Sequence, residues 1–191
     1  MSDPTVIDAA QAEADTRRWL ERAVIGLNLC PFAKAVHVKG QIHYLTYLDT
    51  HEGRLIDALL AEARALVALD AEVRDTTLLI VPHALADFLD FNDFTERAER
   101  KLARAGFDGV LQLASFHPHF QFAGTEADDI TNATNRAPYP TLHLLREDSV
   151  DRAVEAFPEA EAIFERNIEA LEALGPDGWT ALDVGPGSAT P

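Results

Sequence analysis

Two histidines flank one proline at His117-Pro118-His119, and in type and spacing they come nearer than any others here to a metal-binding pair. A residue before proline is driven toward extended geometry, and alternate residues of an extended segment point the same way. Both imidazoles are therefore expected to face one point. With Asp128 returning from the following turn, His117 and His119 would complete the two-histidine, one-carboxylate set that holds iron or zinc, so a divalent metal is the cofactor this pattern implies. Metal-assisted hydrolysis or oxygen chemistry would follow, with His117 and Asp129 as catalytic groups. An H-x-H triplet equally describes two hydrogen-bonded loop anchors, and both readings stand.

The next residues suggest a ligand-binding face. Thr125 with Asp128 three positions on resembles a capping box, which predicts a short helix from there toward Ala137. Asp128, Asp129, Asn132, Asn135 and Arg136 fall on its polar side. Asn and Asp are poor helix formers beside the Glu, Lys and Arg used elsewhere in the chain, so their choice points to contact with a small polar or anionic substrate. Asn132 and Asn135 would orient it and Arg136 would grip it, in competition with a structural tie from Arg136 to loop carbonyls. Pro138 and Pro140 stiffen the entry to the last strand and aim Tyr139 and His143. His143 is a further candidate substrate contact, although a lone strand histidine is more often a satisfied core residue. Cys30 is the single cysteine and the candidate nucleophile, with a histidine as base. At the end of the first helix it would feel the negative dipole end; as N-cap of a helix opened by Pro31 it would feel the positive end. Its uncharged flanks suit a buried, inert thiol.

These side chains need a scaffold to hold them. Apolar spacing predicts a helix over Thr5 to Leu29, broken by Pro31, and a strand over Gln41 to Leu48. A helix carrying Leu55, Leu59, Ala63 and Leu66 on one face follows. Thr76 to Val81 is an apolar run that suits a strand covered on both faces. A helix over Ala84 to Ala105 stops at Gly106, and strands follow at Val110 to Phe116 and Thr141 to Arg146. Asp148 or Ser149 caps a short helix, and Pro158 opens a longer one ending at Gly175 and Pro176. The order predicts an α/β fold: one domain over residues 1–184, a mixed sheet of about four strands with βαβ units, and a disordered tail over 185–191. A ferredoxin-like α+β layout is the alternative. Ligands in open α/β sheets bind beyond the carboxyl ends of strands, where His51, His83, His117 and His119 fall, so function is placed between Ser115 and Arg146. His51 and His83 are read as helix caps or loop fillers.

Composition narrows the partners. Asp and Glu outnumber Lys and Arg by 32 to 16, a formal charge of -16, which repels phosphate backbones and anionic lipid surfaces. Nucleic acid and membranes are therefore excluded as expected partners, a small-molecule ligand is retained, and oligomeric state is open. One cysteine forbids an intramolecular disulfide, and acids stand near the N-terminus where a signal peptide needs basic and apolar residues. A cytoplasmic location is the expectation. P-loop, G-x-G-x-x-G, H-E-x-x-H and G-x-S-x-G signatures are all missing. What remains is a small-molecule enzyme or ligand-processing protein, with a non-catalytic ligand-binding or protein-interaction module as the alternative.

Three segments, RAVIGLNLCPFAKAV at Arg22 to Val36, SFHPHFQFAGTEADDITNATNRAPYPTLHLLRED at Ser115 to Asp148, and ERNIEALEALG at Glu165 to Gly175, together resemble a bacterial family catalogued as domain of unknown function number 1415. The resemblance runs from about the first helix to Trp179. It implies a single-domain protein and carries over no reaction, cofactor or catalytic residue.

Overall fold

A computed structural model describes residues 7–156 and 162–187. In chain order it contains α1 (Ala9–Trp19), which widens into a π-helical turn at Leu20–Ile25, then α2 (Ala33–Val38), β1 (Ile42–Thr46), α3 (Glu52–Ala68), β2 (Thr76–Ile80) and α4 (Phe88–Leu102). These are followed by β3 (Leu111–Phe116), a 3-10 helix at Ile130–Asn135, β4 (Thr141–Arg146), α5 (Glu147–Ala156) and α6 (Ile163–Ala181). All four strands form where the apolar runs place them. Gly106, at φ 89°, takes the left-handed conformation that terminates the α4 segment, and Gly175, at φ 67°, breaks α6. Pro158 lies outside the described residues.

The sheet order is β1-β2-β4-β3, with β1 parallel to β2 and β4 antiparallel to both its neighbours. β1, β2 and β3 therefore run in one direction and β4 runs against them. The parallel β1–β2 pair and the order β-α-β-α-β-β give a mixed α/β sheet rather than the ferredoxin-like arrangement.

Strand alternation assigns the two faces. Leu79 of β2 and Leu142 and Leu144 of β4 pack with Leu55 and Leu59 of α3 and Phe91 and Phe94 of α4. Tyr44, Leu78 and Ile80 turn the other way, toward Trp19, Leu20, Ala23 and Val24. β2 is buried along its whole length because helices cover both of its faces, which accounts for its lack of polar alternation.

The first helix is tied down by a fully buried carboxylate. Asp15 Oδ1 accepts from Gln11 Nε2 (2.8 Å) and Arg18 Nη2 (2.7 Å), while Oδ2 accepts from Tyr139 Oη (2.6 Å) and the Gly187 amide (2.9 Å). Arg18 also donates to the Asp183 and Gly185 carbonyls, at 2.8 and 2.9 Å. Gly185 and Gly187, in the segment read as a disordered tail, are thus bonded to α1; residues 188–191 lie outside the described residues.

Removing one partner of such a buried pair strands the rest. Asp15→Ala is expected to lower the unfolding free energy by about 3–5 kcal/mol in urea titration, with Asp15→Asn intermediate because its single amide oxygen cannot accept all the donors. A loss under about 1 kcal/mol, the range of exposed ion pairs, would contradict this.

Candidate functional site

Because β1, β2 and β3 run alike, their exits converge on one edge of the sheet, but His51, His83 and His117 there are committed to the backbone. His51 Nδ1 caps α3, accepting from Gly53 N (3.1 Å) and Arg54 N (3.4 Å). His83 Nε2 donates to the Ile7 carbonyl at 2.7 Å. His117 is fully buried against the rings of Phe88 and Phe91; its Nε2 donates to Leu85 O (3.0 Å) and its Nδ1 accepts from His119 N (3.0 Å). Burial also pushes the His117 pKa down. Both its ring nitrogens are spent, so neither is left for a metal, while His119 and Asp128 are exposed. Among the described residues no three His, Cys, Asp or Glu side chains stand close enough to hold a metal ion. The expected trio of His117, His119 and Asp128 does not assemble.

The segment from Asp128 to Arg136 serves the loop itself. Its helix begins at Asp129 rather than Thr125: Asp129 Oδ1 accepts from Thr131 N (2.9 Å) and Oγ1 (2.7 Å), bonds that hold its carboxyl below the usual range. Asn132 is fully buried, accepting from Phe122 N (2.9 Å) and donating to Glu126 O (2.8 Å). Asn135 Nδ2 donates to Ser115 O (3.3 Å), and Arg136 donates to Ala127 O (2.6 Å) and Phe120 O (3.3 Å). The asparagines and the arginine are thus the buttresses of a long loop, which is what poor helix formers with side-chain hydrogen bonds do well.

The structure instead sets Cys30 and His143, 113 positions apart in the chain, on one shared space. Both line a cavity of about 520 Å³ on the sheet face opposite α3 and α4. Ile42, Leu78, Ala114, Phe116, His143 and Leu145 form its floor; Trp19, Leu20, Val24, Phe32 and Val36 wall one side and Val150 and Ala153 of α5 the other. That volume lies within the range of small-molecule sites, and apolar walls with a few polar groups are their usual lining.

The polar end has a defined proton arrangement. Thr76 Oγ1 lies 2.6 Å from Leu144 O, which can only accept, so the hydroxyl proton points there. His143 Nε2, 2.5 Å from the same oxygen, must then carry a proton and donate it. Nδ1 is left as a bare lone pair, with no hydrogen-bond partner among the described residues. Burial holds the ring neutral by pushing its pKa down to about 4. At the rim, Arg146 donates to Leu66 O (2.6 Å), Leu69 O (2.7 Å) and Arg74 O (3.0 Å), and the Asp75 carboxylate accepts from Ser149 Oγ (2.5 Å).

Cys30 neither ends the first helical segment, which stops at Ile25, nor caps α2, whose N-cap is Phe32. The Phe32 and Ala33 amides at the start of α2 favour the thiolate, but burial outweighs them and raises the thiol pKa. The residues that sequence reasoning left out are Thr76, Trp19, Ala114 and Phe116. The side alternation of Thr141, His143 and Leu145 was readable, but the β2–β4 register, which sets Leu78 opposite His143 and Thr76 opposite Leu145, was not.

Two measurements check these electrostatics. The pH profile of Cys30 alkylation by iodoacetamide is expected to have its midpoint above 9.0, the ordinary thiol value, and a midpoint below about pH 8 would contradict the burial effect. For His143, the folded pKa of about 4 lies below the ordinary 6.5, so the unfolded chain takes up the proton first. Its contribution to stability is complete above pH 6.5 and lost as pH falls toward about 4, and His143→Phe is expected to flatten the stability curve in that window. An unchanged slope would show the ring to be ordinarily titrating.

No helix among the described residues is long and apolar enough to cross a membrane. No curated protein and no solved structure matches the chain. The family model of the protein of unknown function DUF1415 matches residues 11–181 of the 191. That match covers the sheet, the buttressed loop and every wall of the cavity, and the chain belongs to the DUF1415 family.

Proposed function

We propose that this protein takes up a small, largely apolar molecule in the cavity over its sheet, with the molecule's body against Trp19, Leu78 and Phe116 and one polar group reaching His143. The observation that carries this reading is the cavity itself. Protein interiors are close-packed, and a void forfeits the dispersion contacts its lining would otherwise make, so space of this size beside a well-filled core on the opposite face suits an occupant.

A catalytic version, with Cys30 as nucleophile and His143 as base, draws support from their sharing one cavity. The acid–base balance works against it: moving a proton from a thiol above 9.0 to an imidazole near 4 is uphill by at least about five powers of ten. Binding is the reading we favour.

A thermal-shift screen of neutral bicyclic aromatic and alicyclic compounds tests it. A ligand at one hundred times its Kd contributes about 2.7 kcal/mol, which for a chain of this length raises Tm by roughly 5 °C or more. Ala114→Phe, which puts a ring on the cavity floor, is expected to abolish the rise while the variant still melts cooperatively. No rise with any compound, or an undiminished rise in the variant, removes the reading.

A further inference from the structure

We infer that the molecule this cavity takes is neutral and carries a hydroxyl or N–H group that donates a hydrogen bond to Nδ1 of His143. The inference rests on the binding reading above and deepens it to a ligand class. Its basis is the chain of bonds that runs from the backbone to the cavity. The Leu144 carbonyl fixes the Thr76 hydroxyl proton, the hydroxyl oxygen fixes the proton on Nε2, and the outer nitrogen is left able only to accept. The protein thereby chooses one tautomer of an otherwise ambivalent ring. A ligand group that can only accept, such as an ether or a ketone, would set two lone pairs face to face and leave a desolvated nitrogen unpaired.

Charge narrows the class further. Among the described residues Arg146 is the one cation in the lining, and backbone carbonyls and Asp75, 3.9 Å away, already occupy its guanidinium. An anion would enter an apolar space with no free positive partner, past the Asp75 carboxylate, on a chain carrying a charge of -16. A cation would surrender its hydration to a neutral imidazole and a carboxylate that Ser149 and Arg146 already engage. The low basicity of the buried ring keeps Nδ1 an acceptor at neutral pH.

The test is isothermal titration calorimetry on the full chain at pH 7.5 with three probes of one shape: 2-naphthol, 2-methoxynaphthalene and 2-naphthoate. The wild type is expected to bind 2-naphthol about tenfold or more tighter than the methoxy compound, and 2-naphthoate more weakly than either. His143→Phe should keep the methoxy compound's affinity and bring 2-naphthol down to it. Thr76→Val, which releases the ring to either tautomer, should shrink the same preference with His143 still in place, and serves where His143→Phe fails to fold. Equal affinity for 2-naphthol and 2-methoxynaphthalene in the wild type, or a naphthol preference that survives both substitutions, overturns the inferred ligand class while leaving binding intact. If none of the three binds and the thermal screen is also silent, the binding reading falls and the inference falls with it.

Discussion

The Asp15 carboxylate can be held out of water only because four donors meet it, two from its own helix, one from Tyr139 and one from the backbone of Gly187. A buried charge is tolerated only when its oxygens are satisfied, so these partners must arrive together or not at all. That requirement ties the helix that walls the cavity to the strand in its floor. Trp19 lies one helical turn beyond Asp15, and His143 lies four residues beyond Tyr139, so the carboxylate pins both ends of the space between them.

The two faces of the sheet show how the same strands can be closed on one side and open on the other. Against α3 and α4, buried leucines and phenylalanines pack into one continuous core. On the opposite face the covering helices present small residues, Ala33 and Ala35 from α2 and Ala153 and Ala156 from α5, and α5 has no fully buried residue. Alanine cannot reach into the gap that a leucine would fill. The opening is therefore built from residue size, with Thr76 and His143 as the polar pair in its floor.

Much of this fold was legible in the amino-acid pattern, because periodicity is a local property. The run from Thr76 to Val81, the Leu55-to-Leu66 stripe and the glycine stop at 106 each announce their element without outside help. The histidines were read less well, for a physical reason. A histidine at a strand exit can serve a ligand or a backbone carbonyl, and only the position of the carbonyl, Leu85 for His117 and Ile7 for His83, decides. Arg136 and the asparagines were ambiguous in the same way. Their alternative, bracing a long loop through carbonyls, is the one adopted. The cavity depends on which strand neighbours which, and an antiparallel β4 placed between β2 and β3 joins residues 25 to 69 positions apart, beyond the reach of any local pattern.

That placement of β4 also bears on how the chain is made. The middle of the sheet is filled by its last strand to leave the ribosome, so β2 and β3 must wait with unpaired edges until residues 141–146 have emerged. At translation speeds of about 5–20 residues per second, this leaves an adhesive strand edge uncovered for several seconds. The Asp15 carboxylate waits longer still, for an amide at position 187. The nascent protein thus passes through a prolonged stage with its first helix and first strands present but unlocked, the stage at which a chaperone has most to hold.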